Sequence, residues 1–121
     1  MVASGLKRVQ ARFFLTESGR EPVKDWLLGL DRADRREVGR DLMTLEFGWP
    51  IGMPLSRPIG AGLHELRSTI SGRRECRIFY YVDRFQQLIL LHAFIKRSRA
   101  TPKAELHLAR ERMKQHQRSN A

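Results

Sequence analysis

The chain has 121 residues, 41% of them hydrophobic and 30% charged, the size and balance of one globular domain rather than a disordered or fibrous chain. Its single cysteine, Cys76, rules out an internal disulfide, and no apolar run approaches the roughly 20 residues of a membrane-spanning helix. Twenty-three Lys and Arg against thirteen Asp and Glu leave a formal charge of +10, which favours a polyanionic partner, nucleic acid above all.

The charge is unevenly placed. Residues 1–63 hold ten Lys/Arg and eight Asp/Glu, whereas residues 64–121 hold thirteen and five, so the excess belongs to the second half. The opening MVASGLKRVQARFF has no long apolar stretch of the secretory kind, and a cytoplasmic protein with no membrane partner is expected. No repeat or linker divides the chain, so residues 1–121 are expected to form one domain, with about 116–121 as a frayed tail.

In chain order, Lys7–Leu15 reads as a first strand and Glu17-Ser18-Gly19-Arg20 as a turn. A helix starts near Pro22, with Val23, Trp26, Leu27 and Leu30 on one face. Asp31 is placed to cap a second helix, whose apolar face is Val38, Leu42 and Leu45 and which Gly48 and Pro50 end. The two helices are expected to form an antiparallel hairpin. Residues 48–62, rich in Gly and Pro, read as loop.

Three strands follow. They are Leu63–Ile70, Glu75–Val82 and Gln87–Ile95, the last being the most apolar and expected at the centre of the sheet. The short turns Ser71-Gly72 and Asp83-Arg84 make these an antiparallel meander. Thr101 caps a final helix with Pro102 at its first position, running to about Gln115. The predicted fold class is α+β, with the helices on one face of an antiparallel sheet and the other face open and basic.

No phosphate-binding Gly loop, HExxH or cysteine cluster is present, so neither a cofactor nor a metal site is expected. Cys76, inside an apolar strand, reads as core filler, as does His92. What remains is a set of cations on the strands: Arg67, Arg77, and Lys96, Arg97 and Arg99 after the third strand of the meander. Guanidinium groups grip phosphate bidentately and stay charged at cellular pH. Strand alternation puts Arg67 with Glu65, and Arg77 with Phe79 and Tyr81. Of Tyr80 and Tyr81, one is expected in the core and the other at the surface, where an aromatic beside arginine suits stacking on unpaired bases. His64, after a Gly-rich loop, is expected to be accessible.

The segments RPIGAGLHELR, CRIFYYV, LLHAFIKR and TPKAELHLARER, in that order over about residues 53–113, resemble the phage-derived, HigB-like branch of the RelE/ParE toxin superfamily. The first half matches only in pattern. The resemblance implies a RelE-like fold: an N-terminal strand, a helical hairpin, a three-stranded antiparallel meander and a C-terminal helix packed with the sheet. It implies the toxin of a type II toxin–antitoxin pair that cuts mRNA on the ribosome without a metal. The RNA 2′-OH attacks the adjacent phosphate, giving a 2′,3′-cyclic phosphate and a 5′-OH end. By the same resemblance, Arg77 and Arg97 stabilise phosphate charge, Arg67 and Lys96 orient the backbone, and His64 or Glu65 carries the proton. Arg73, Arg74, Tyr81, Arg99 and Lys103 are assigned to RNA binding. The motif tyrosine before Arg77 is Cys76 here, and the second lysine of the basic pair is Arg97. No tyrosine follows Tyr81, so the C-terminal tyrosine of such toxins has no counterpart, and Lys103, His107 or nothing in the final helix stands in for it. The implied partners are a cognate antitoxin with a helix-turn-helix DNA-binding domain, the ribosome and mRNA. Two other readings stay open: a ParE-like gyrase inhibitor and a non-enzymatic nucleic-acid-binding module.

Overall fold

The computed structural model describes residues 6–120. It contains β1 (Gln10–Phe13), α1 (Pro22–Leu28), α2 (Arg32–Gly48), β2 (Ser56–Gly60), β3 (Leu63–Ile70), a 3-10 turn at Ser71–Arg73, β4 (Arg74–Val82), β5 (Gln87–Lys96) and α3 (Lys103–Ser119). The strands form one sheet in the order β1-β5-β4-β3-β2. The meander β3-β4-β5 is antiparallel, as expected. β1 joins its edge in parallel with β5, so the sheet is mixed. β4, not β5, lies in the middle. Among the described residues no helix is long and apolar enough to cross a membrane.

Two strands depart from the expected pattern. β1 is four residues long rather than nine. Before it, the Arg8 and Val9 N–H groups donate to the Glu46 carbonyl at 2.9 and 3.3 Å, and the Ala11 N–H donates to Glu46 Oε2 at 2.8 Å. The end of α2 therefore occupies the outer side of β1 and closes an edge that would otherwise template aggregation. β2 lies within the stretch read as loop. It carries Pro58, which an outermost strand tolerates because no ladder donor is lost there.

The helices do not share one face. Val23, Leu27, Val38, Leu42 and Leu45 of α1 and α2 meet Leu66, Ile70, Cys76, Ile78, Tyr80, Leu88 and Leu90 on one side. Ala109 and Met113 of α3 meet Leu63, Phe79, Tyr81, Ile89, Leu91 and Phe94 on the other. Each large side chain so buried contributes about 1.5–3 kcal/mol. The result is a three-layer domain rather than two layers with an open basic face. Cys76 is fully buried in the first core, its thiol pushed up to about 12 by desolvation, as core filler should be.

Helix ends also differ in detail. Asp31 stands at the N-cap of α2 without a side-chain capping bond. Instead Arg35 donates from Nε to the Leu27 carbonyl and from Nη2 to those of Leu28 and Leu30, at 3.2–3.3 Å, closing the end of α1. Pro102, not Thr101, is the N-cap of α3. That helix continues to Ser119, so residues 116–119 of the expected frayed tail are helical, and Ala121 lies outside the described residues: His116 bonds the Tyr81 hydroxyl, and Arg84 Nη2 donates to the Asn120 carbonyl at 3.0 Å.

Burial lowers the pKa of both His116 and His64 below the ordinary 6.5, Asp83 partly opposing the shift at His116. The unfolded chain therefore takes up these protons first as pH falls, and stability present above about 6.5 is lost below it. The melting temperature is expected to drop between pH 7 and pH 5, above the range where carboxylates titrate. His116→Gln should shrink that drop, and a flat profile in the wild type would contradict the assignment.

Candidate functional site

β3 and β4 pair so that Arg67 lies directly opposite Arg77. Like charges placed so, with Cβ atoms about 5 Å apart, repel unless counter-ions intervene. The ladder supplies them. On the sheet face shared with α3 it sets three cross-strand rows: Arg57, Glu65, Phe79 and His92; then Arg67, Arg77 and Phe94; then Thr69, Glu75 and Lys96.

Glu65 is the hub. Its Oε1 lies 3.5 Å from Arg57 Nη2, 3.6 Å from Arg77 Nε and 3.9 Å from Arg67 Nε, and the residue is 1% exposed. Arg77 is 2% exposed, and its Nη1 donates to Glu75 Oε1 and to the Cys76 carbonyl, both at 3.1 Å. Glu65 Oε2 and Arg77 Nε are buried without a hydrogen bond among the described residues. An ionic cluster left partly unsatisfied is a poor device for stability alone.

Around this buried pair stands an accessible ring. The Arg67 side chain is 31% exposed and reaches Met53 Sδ through Nη1 at 3.3 Å, and that of Glu75 is 43% exposed. The Thr69 hydroxyl, 2.9 Å away, together with Arg77 and Arg67, holds the Glu75 carboxyl below its usual range. Lys96 is half-buried at the end of β5, its Nζ donating to the Arg99 carbonyl at 2.7 Å. The face therefore carries fixed positive charge beside two phenylalanines, a chemistry suited to a phosphate ester.

The expected site residues separate into those that meet and those that do not. Arg67, Arg77, Glu65 and Lys96 share this face. Arg97, beyond the end of β5, and Arg99 are exposed, and Lys103 is exposed at the start of α3. His64 is on the opposite face, only partly exposed, stacked on Tyr80 at 5.4 Å and against the edge of Trp49, because alternation cannot point it the same way as Glu65. Arg74 is turned to α2, its Nη2 2.7 Å from Asp34 Oδ2. Arg73 is exposed in the 3-10 turn. Tyr81 does share the face of Arg77 but is buried under α3, and Tyr80 is buried too, so neither offers a stacking surface.

Three members were not read from the sequence. Arg57 comes from the unexpected strand β2. Glu75 figures in the sequence only as the first residue of an expected strand. His92, read as core, faces α3, its Nε2 2.8 Å from Glu105 Oε1 and its ring stacked on Phe94 at 5.7 Å. The signal for this last pair was present, since the histidine of LLHAF and the glutamate of TPKAE both stand in the motifs quoted above.

A mixed five-stranded sheet with a helical hairpin on one side and a terminal helix on the other is consistent with the general RelE-like architecture. Residues 25–114 match the family model described as "Phage derived protein Gp49-like (DUF891)", and the chain belongs to that family. The family is part of the RelE/ParE-like toxin superfamily and is a phage-derived, toxin-like group. No curated protein matches the chain.

Proposed function

We propose that this protein is the toxin of a type II toxin–antitoxin pair and cleaves mRNA on the ribosome. The observation that carries the reading is the Arg67–Arg77 pair, set opposite across β3 and β4 around a buried Glu65. RNA cleavage by the 2′-OH requires the nucleophile to lose its proton as it bonds to phosphorus, the P–O5′ bond to break, and the departing 5′-oxygen to gain a proton. Extra phosphate charge must be stabilised meanwhile. Arg67, Arg57 and Lys96 have the exposure to meet the phosphate. Arg77, buried behind them, positions Glu65 and Glu75. Of the two expected proton carriers, His64 faces the wrong way and Glu65 is engaged with three arginines. Proton transfer falls instead to Glu75 and to His92 held by Glu105, the carboxylate and the imidazole beside those cations that keep exposed atoms.

Controlled expression followed by primer extension tests this. Growth arrest with new 5′-OH ends inside translated messages, absent from untranslated RNA, is the expected result. A DNA-damage response without such ends would mean gyrase inhibition, and neither phenotype would mean a binding module. A small helix-turn-helix protein encoded beside this gene should abolish the arrest when co-expressed.

A further inference from the structure

Helix α3 turns a row of cations to solvent. Leu106, Ala109 and Met113 face the sheet, so Lys103, Lys114 and Arg118 stand exposed on the outer side with the His107 imidazole among them, while Arg110 is half-buried at its edge, its Nη1 donating to the Gly60 carbonyl at 3.4 Å. The row spans about 22 Å of helix. More arginines extend both ends: Arg97 and Arg99 are exposed just before the helix, and Arg84 grips the Asn120 carbonyl at its finish. Glu105 is turned inward to His92, and among the described residues the acidic partner along the row is Glu111, 3.6 Å from Lys114 Nζ.

The surroundings narrow the partner. A stable protein interface needs an apolar or aromatic centre depleted of charge, and the large apolar side chain exposed here is Leu108, at 37%. Single-stranded RNA is held by aromatic platforms, and the row exposes no aromatic; nearby Phe85 already carries the Arg84 guanidinium, 4.8 Å from its ring centre. A run of exposed cations without either feature suits a phosphate backbone read by charge and shape. We propose that the outer face of α3, continued by Arg97, Arg99 and Arg84, docks on the backbone of double-stranded RNA, starting at the rim of the Arg67–Arg77 site and leading away from it. This rests on the reading above for the choice of RNA, and on none of its chemistry.

The test is equilibrium binding of the full chain to a 2′-O-methylated RNA duplex, which lacks the nucleophile for cleavage, so that binding and chemistry are read apart. Lys103→Gln/Lys114→Gln/Arg118→Gln is compared with Arg32→Gln/Arg36→Gln/Arg40→Gln, which removes three exposed cations from α2. The first variant should weaken binding at least tenfold near 0.1 M salt and flatten the dependence of log affinity on log salt by about 2 to 3, at nearly one unit per phosphate contact. The second should leave both unchanged, and circular dichroism should show both folded. Equal losses in the two variants, no loss in the first, or tighter retention of a polyglutamate peptide than of the duplex would each overturn the proposal. Duplex binding by a wild-type chain that yields no new 5′-OH ends in translated messages would overturn the nuclease reading instead.

Discussion

Arg67→Gln is expected to lower mRNA cleavage by about 10²–10³-fold, the usual loss when one preorganised group stabilising transition-state charge is removed. Its effect on folding should be small. The Arg67 contact to Glu65 is 3.9 Å long and the side chain is 31% exposed, so the pair contributes at most about 1 kcal/mol, which in a domain of this size is roughly 4 °C of melting temperature. The two readouts are thus predicted to part: near-normal thermal stability with cleavage all but gone, and the loss in kcat rather than KM if charge stabilisation is the role. Arg67→Lys should restore only part of the rate, because a point charge replaces a planar fork. Cleavage within threefold of wild type in Arg67→Gln would remove this residue from the site, and with it the pairing on which the nuclease reading stands.

Local pattern carried much of the fold and rather less of the site. The runs in β3, β4 and β5 and the spacing of Val38, Leu42 and Leu45 announce themselves because burial demands them at fixed periods. β2 did not, since Ser-Arg-Pro-Ile-Gly has the composition of a turn, and it becomes a strand only because β3 offers an edge. The position of α3 was legible in principle: Phe79 and Tyr81 alternate with Ile78 and Tyr80, and a strand apolar on both sides needs covering on both. The basic count pointed instead to an open face. Arg57, Arg67, Arg77 and Lys96 share one part of that face, and Lys103, Lys114 and Arg118 lie along the outside of α3. Alternation alone put Glu65 with Arg67 and Arg77 with Phe79, and both held. What alternation cannot supply is which neighbour closes over a residue. That is why Tyr81, on the right face, lies under His116, and why Arg57 could not be joined to Glu65 before β2 was known.

Arg77→Met is expected to destabilise the fold by about 3 kcal/mol, because it leaves the buried Glu65 carboxylate without its most enclosed partner. Arg57 and Arg67 remain at 3.5 and 3.9 Å, but both are partly exposed and screened, so the cost stays at the low end of the usual 3–5 kcal/mol and the melting temperature falls by roughly 10 °C. The penalty belongs to the abandoned charge, not to a lost attraction. Glu65→Leu/Arg77→Met should therefore recover most of the stability, as apolar replacement of a buried ion pair commonly does, while cleavage stays lost. Urea denaturation of the two single variants and the double variant measures the coupling directly. A double variant as unstable as Arg77→Met would show that Arg77 supports the sheet by packing alone. A double variant that regains stability without activity would show that Glu65 and Arg77 are held in the core of β3 and β4 for what they do to Arg67 and Glu75 at the surface.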